Sequence, residues 1–155
     1  PETLETARLH ARASGLSIDY REIAAEALAA EAPGRFDVVT CMELLEHVPD
    51  PAAVVEACGT LVRPGGAVFF STINRNMRAW LFAIVGAEHL LRLLPAGTHD
   101  ARAFIRPAEL ARWARGSGLE MNHLTGLHYN PLTRQYFMAE DTRVNYLVHC
   151  TRTES

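Results

Sequence analysis

Glu43, Glu46 and His47 are the residues of this chain whose types and spacing most directly invite chemistry. They stand at i, i+3 and i+4, so a helical turn at this point would project all three from one face. Two carboxylates and an imidazole on one face suit a divalent cation that keeps water or ligand oxygens in its remaining positions. The same groups suit metal-free work with His47 as a general acid or base. A plain hydrogen-bonding role for the cluster stays open beside these. Further polar groups follow at Asn74-Arg75-Asn76, His99-Asp100 and His128-Tyr129-Asn130. These read as loop residues that could close over a ligand or simply be solvated.

The neighbouring elements give the cluster its place. Phe-Asp-Val-Val-Thr-Cys over 36–41 reads as a buried strand that runs into it. Residues 51–62 read as a helix, with Asp50 as N-cap and Pro51 at its first position. Arg63-Pro64-Gly65-Gly66 then makes a turn into a second buried strand, 68–73. Strand, helix, turn and strand form one βαβ unit of a parallel sheet. In open α/β sheets ligands sit outside the carboxyl ends of the strands, where this cluster falls.

Upstream, a helix is expected over 3–14, closed by Gly15, then a strand over 16–20 and a helix over 24–32 stopped by Pro33-Gly34. Downstream come a long apolar helix over 78–94, an amphipathic helix over 106–116, and strands over 120–127 and 144–149 that pair antiparallel. The expected class is α/β, with a mostly parallel sheet and an antiparallel last strand. A doubly wound domain usually begins with a strand and a glycine-rich turn, whereas the first element here is a helix. Gly116-Ser-Gly118 falls between a helix and a strand, where it reads as a C-cap. At least the first strand and turn of the fold are therefore expected to lie outside these 155 residues.

The length is that of a single domain, and a net charge of −3 with scattered basic residues argues against a nucleic-acid surface. Cys41, Cys58 and Cys150 lie in apolar stretches without metal-ligand spacing and read as buried thiols of a reducing compartment. No signal peptide opens the chain and no apolar run reaches the ~20 residues needed to span a bilayer, so a cytoplasmic location is expected. Residues 79–94 are apolar around most of a helix, with a narrow stripe of Glu88, His89 and Arg92. They suit either a core or interface helix, or an insertion that touches a membrane surface or admits a lipid tail.

Taken together, Asp-Val-Val-Thr-Cys-Met-Glu-Leu-Leu-Glu-His-Val-Pro-Asp-Pro and Val-Arg-Pro-Gly-Gly resemble the class I S-adenosylmethionine-dependent methyltransferases, as does Phe-Phe-Ser-Thr-Ile-Asn-Arg-Asn. Val85-Gly-Ala-Glu88, Gly97-Thr-His-Asp100, Ile105-Arg-Pro-Ala-Glu-Leu110 and Thr125-Gly-Leu-His-Tyr-Asn-Pro131 narrow the resemblance to the O-methyltransferase family of ubiquinone biosynthesis. It runs over nearly the whole chain. The resemblance implies a Rossmann-like fold, here a partial methyltransferase domain with an apolar helical insertion at about 76–100. It implies S-adenosylmethionine as methyl donor, Met42 as a cofactor contact, and the loop around residues 23–25 near the adenine. It implies magnesium or a similar divalent cation on Glu43, Glu46 and His47, with His47 alternatively the catalytic base. Acceptors would be polyprenyl hydroxyphenol and demethylubiquinol intermediates. Partners would be other proteins of ubiquinone biosynthesis and, through residues 79–94, the surface of the inner membrane. The alternatives are a methyltransferase for another hydrophobic small molecule, or a non-catalytic membrane- or partner-binding fragment.

Overall fold

The computed structural model describes residues 2–74, 104–130, 133 and 135–154. Helix α1 (Glu2–Ala13) ends at Gly15, whose φ of +68° is one that side-chain-bearing residues rarely adopt. Helix α2 (Ala25–Glu31) follows after an irregular stretch. Strand β1 (Phe36–Met42) leads through a single 3₁₀ turn, Leu45–His47, into helix α3 (Pro51–Leu61) and strand β2 (Val62–Ile73). Helix α4 (Pro107–Gly116) precedes β3 (Leu119–Asn130), β4 (Gln135–Ala139) and β5 (Asn145–Arg152). The expected helix over 78–94, with the insertion that contains it, lies outside the described residues.

The five strands form one sheet in the order β1-β2-β5-β3-β4. Among the described residues only β1 and β2 run parallel, and the other three pairings are antiparallel. The βαβ unit is therefore where the parallel character resides. Asp50 caps α3 as its sequence suggests, its Oδ1 accepting from the backbone N–H of Ala53 at 3.1 Å. The Pro-Gly-Gly segment lies inside β2 rather than before it. It makes a bulge there: Phe36 pairs with Val62 and Val38 with Ala67. Gly66 has to be glycine, because a Cβ would meet Val62 Cγ2 at 2.6 Å and the carbonyl oxygen of Asp37 at 2.8 Å.

The core lies on one face of the sheet. Val54, Val55 and Cys58 of α3 and Leu110 and Ala114 of α4 pack on Val68 and Phe70 of β2 and Tyr146, Val148 and Cys150 of β5. All three cysteines are buried and free, as their apolar surroundings suggest.

Three expectations require correction. Residues 16–20 form no strand, and Leu16 and Ile18 are exposed. An extended segment needs a neighbour for its N–H and C=O groups, and no described strand lies beside it. Strand β1 is not buried: Phe36, Val38 and Met42 are exposed, because β1 is an edge of the described sheet and Val38 and Met42 point away from α3. His128 and Asn130 belong to β3 rather than to a loop, and β3 makes a hairpin with β4, a strand the sequence pattern did not suggest.

Candidate functional site

Strand β1 and its parallel partner β2 bring their carboxyl ends together, with Met42 level with Ser71. The backbone turns sharply after Met42. Glu43 adopts φ +50°, a left-handed conformation that costs a side-chain-bearing residue roughly 1–2 kcal/mol. Bonds to β2 offset that cost. The Glu43 N–H donates to the carbonyl oxygen of Ser71 at 3.1 Å and to its Oγ at 3.0 Å. The Ser71 hydroxyl in turn donates to Glu43 Oε1 at 2.6 Å.

Glu46 is held separately. It sits in the 3₁₀ turn, is buried, and accepts a hydrogen bond on Oε2 from Thr72 Oγ1 at 2.8 Å. Ser71 and Thr72 are consecutive on β2, so their side chains leave opposite faces of the sheet. Thr72 shares the core face with Val68 and Phe70, and Ser71 the face with exposed Phe69 and Met42. The two glutamates thus grip the end of β2 from its two sides.

This arrangement differs from three groups on one helical face. The helical turn covers only Leu45–His47, and Glu43 stands before it with its own backbone direction. The carboxylates are nonetheless neighbours. Burial of its carboxyl end is the main cause that raises the Glu43 pKa above the usual carboxylate value. The nearby Glu46 charge adds to the rise, while the Ser71 hydrogen bond and His47 oppose it. His47 is exposed. Among the described residues, no three His, Cys, Asp or Glu side chains stand close enough to hold a metal ion.

Other predicted residues are placed as follows. Met42 is about half exposed at the end of β1. Ile23 and Ala25 line an open groove of about 650 Å³ along β1, together with Asp19, Val39, Cys41 and Leu44. That volume is within the range of small-molecule sites. Asn74 is used structurally: its backbone N–H donates to the Val144 carbonyl at 2.8 Å and its Nδ2 to the Thr142 carbonyl at 2.8 Å. His128 stacks on Phe137 with ring centroids 5.4 Å apart, and its Nε2 lies 2.7 Å from the Asp141 carbonyl oxygen. Both are occupied in tying the sheet together. Arg75, Asn76, His99 and Asp100 lie outside the described residues. Ser71 and Thr72 belong to the Phe-Phe-Ser-Thr-Ile-Asn-Arg-Asn motif, but nothing in the sequence assigned them a role; their signal was two polar side chains at the end of an apolar strand.

Residues 7–124 match a family model described as a methyltransferase domain. The chain belongs to the methyltransferase-domain family. It is 63% identical over 151 residues to a ubiquinone biosynthesis O-methyltransferase of Azotobacter vinelandii, covering 97% of this chain and 65% of that protein. A protein of the same name from Leptothrix cholodnii is 62% identical, with 97% and 64% covered. The chain therefore spans a little under two thirds of the length of these relatives. Among solved structures, a protein from Methanosarcina mazei described as a SAM-dependent methyltransferase superposes with a TM-score of 0.68 at 15% identity. That match covers 99% of this chain and 79% of the other. The likeness carries the fold: a Rossmann-like class I methyltransferase sheet.

Proposed function

We propose that the protein is an O-methyltransferase that carries the methyl group of S-adenosylmethionine to a phenol or catechol oxygen of a polyprenylated ubiquinone precursor. The observation that carries this reading is the 63% identity to a relative of that name over nearly the whole chain. The position of the carboxylate pair, at the carboxyl ends of parallel strands, agrees with it.

Bound S-adenosylmethionine supplies a sulfonium-borne methyl, which the acceptor oxygen takes as the carbon–sulfur bond breaks. Met42 would touch that donor, a role supported by its exposure at the end of β1. The acceptor must lose its phenolic proton to become an adequate nucleophile, and His47 would accept it, a role supported by its exposure next to the carboxylates. Glu43 at this rim would orient the acceptor, with the buried Glu46 carboxylate beside it. Much of the acceleration in such a transfer comes from holding oxygen, methyl carbon and sulfur in line.

The carboxylate pair also fits magnesium, which is commonly held by one or two carboxylates with water and substrate oxygens completing its shell. Glu43 and Glu46 would hold it, and it would acidify and orient a catechol oxygen. The apolar residues 79–94 support a peripheral contact with the inner-membrane surface, where a polyprenyl acceptor resides.

The test is methyl transfer by the protein at its full natural length. Glu43→Ala and His47→Ala are expected to lower activity by about 10²–10⁴-fold, the range for losing a proton-transfer group, with unchanged circular dichroism. Activity that survives excess chelator removes the cation from the reading. A wild-type protein that methylates no phenol or catechol removes the reading itself.

A further inference from the structure

We infer that Ser71 and Thr72 are positioning residues of the methyl-transfer site, each setting one of its two carboxylates. The inference rests on the reaction proposed above. Ser71 is 4% exposed and Thr72 fully buried. A buried hydroxyl is costly unless it is hydrogen-bonded, and apolar side chains of similar size would suit a strand whose neighbours are Val68, Phe69, Phe70 and Ile73. Each hydroxyl instead meets a carboxylate from 26 or 28 residues earlier in the chain.

The two bonds have different tasks. Ser71 Oγ accepts from the Glu43 N–H and donates to the Glu43 carboxylate, so one atom fixes both the left-handed backbone and the side chain. Thr72 anchors Glu46 from the core face of β2, a strand paired on both sides by β1 and β5. Because consecutive residues point to opposite faces, a single dipeptide holds both carboxylates and fixes their separation. A shift of either hydroxyl would turn a carboxylate away from the rim.

The test uses Ser71→Ala, Thr72→Val and the conservative Thr72→Ser in the full-length protein. Thr72→Val keeps the shape and loses the donor; Thr72→Ser keeps the donor and loses a methyl group. Ser71→Ala and Thr72→Val should each lower kcat about 10- to 100-fold, as removal of groups that orient ligating side chains commonly does. KM for S-adenosylmethionine should stay within about threefold, and Thr72→Ser should restore most of kcat. A structural role alone would lower melting temperature without this split between kcat and KM. If Thr72→Val fails to fold, Ser71→Ala and Thr72→Ser still decide. The inference is overturned by near-wild-type kcat in Ser71→Ala, or by Thr72→Ser as impaired as a donor-less variant. An inactive wild type would instead overturn the reaction reading.

Discussion

Tyr146→Phe tests the link between the core and the site. Tyr146 lies on β5 level with Thr72, is fully buried, and donates its hydroxyl to the Ile105 carbonyl at 3.0 Å. The Ile105 N–H donates in turn to the Ile73 carbonyl at 3.0 Å, next to the residue that anchors Glu46. The phenol thus fastens the chain entering α4 onto the carboxyl end of β2. Burial raises its pKa well above the ordinary tyrosine value, so it remains a donor at any working pH. Phenylalanine keeps the ring and its packing, so the change removes one hydrogen bond and leaves a buried carbonyl short of a donor. The expected cost is about 1–2 kcal/mol. At roughly 2–4 °C per kcal/mol for a chain of this size, melting temperature should fall by about 2–8 °C. Urea unfolding of wild type and variant at equal m-value measures the loss, and hydrogen exchange should quicken at the Ile105 amide. A loss below about 0.5 kcal/mol would refute the reasoning, since it would mean that the Ile105 carbonyl needs no phenol.

Gly126→Ala should destabilise at or above the upper end of the ~1–3 kcal/mol usual for overpacking, because the new Cβ would stand 1.9 Å from the Asp141 carbonyl oxygen; urea unfolding checks it. Cys150 is pushed by burial from 9.0 to about 11, so between those values the unfolded chain loses the proton and the folded chain keeps it. Stability should therefore fall as pH rises from about 9 to 11, by on the order of 2 kcal/mol from this group; an equally steep fall in Cys150→Ala would refute the assignment. Charging the apolar segment by Leu91→Glu should reduce flotation with anionic liposomes; unchanged flotation with an intact fold removes the membrane contact.

Much of the architecture was legible because its signals are local. Gly15, Pro33-Gly34, the Asp50-Pro51 start of α3 and the Gly118 end of α4 each mark a boundary through φ preference or a cap within a few residues. The βαβ unit followed from them, and with it the position of the cluster. The left-handed Glu43 was not legible, since nothing in its neighbours calls for it; it is stabilised by Ser71, which only the β1–β2 register brings near. The missing strand at 16–20 and the exposed face of β1 have the same origin, because pairing and burial depend on what lies alongside.

The amino-acid order by itself determined where helices start and stop, which residues carry charge, and that two carboxylates and an imidazole follow a strand. Only the tertiary structure decided that the carboxylates meet around the end of β2, from opposite faces and through separate hydroxyls, while His47 stands exposed. The reason is range. Caps, turns and periodicity act over about four residues, whereas Ser71 and Thr72 reach their glutamates only when strands far apart in sequence are placed side by side.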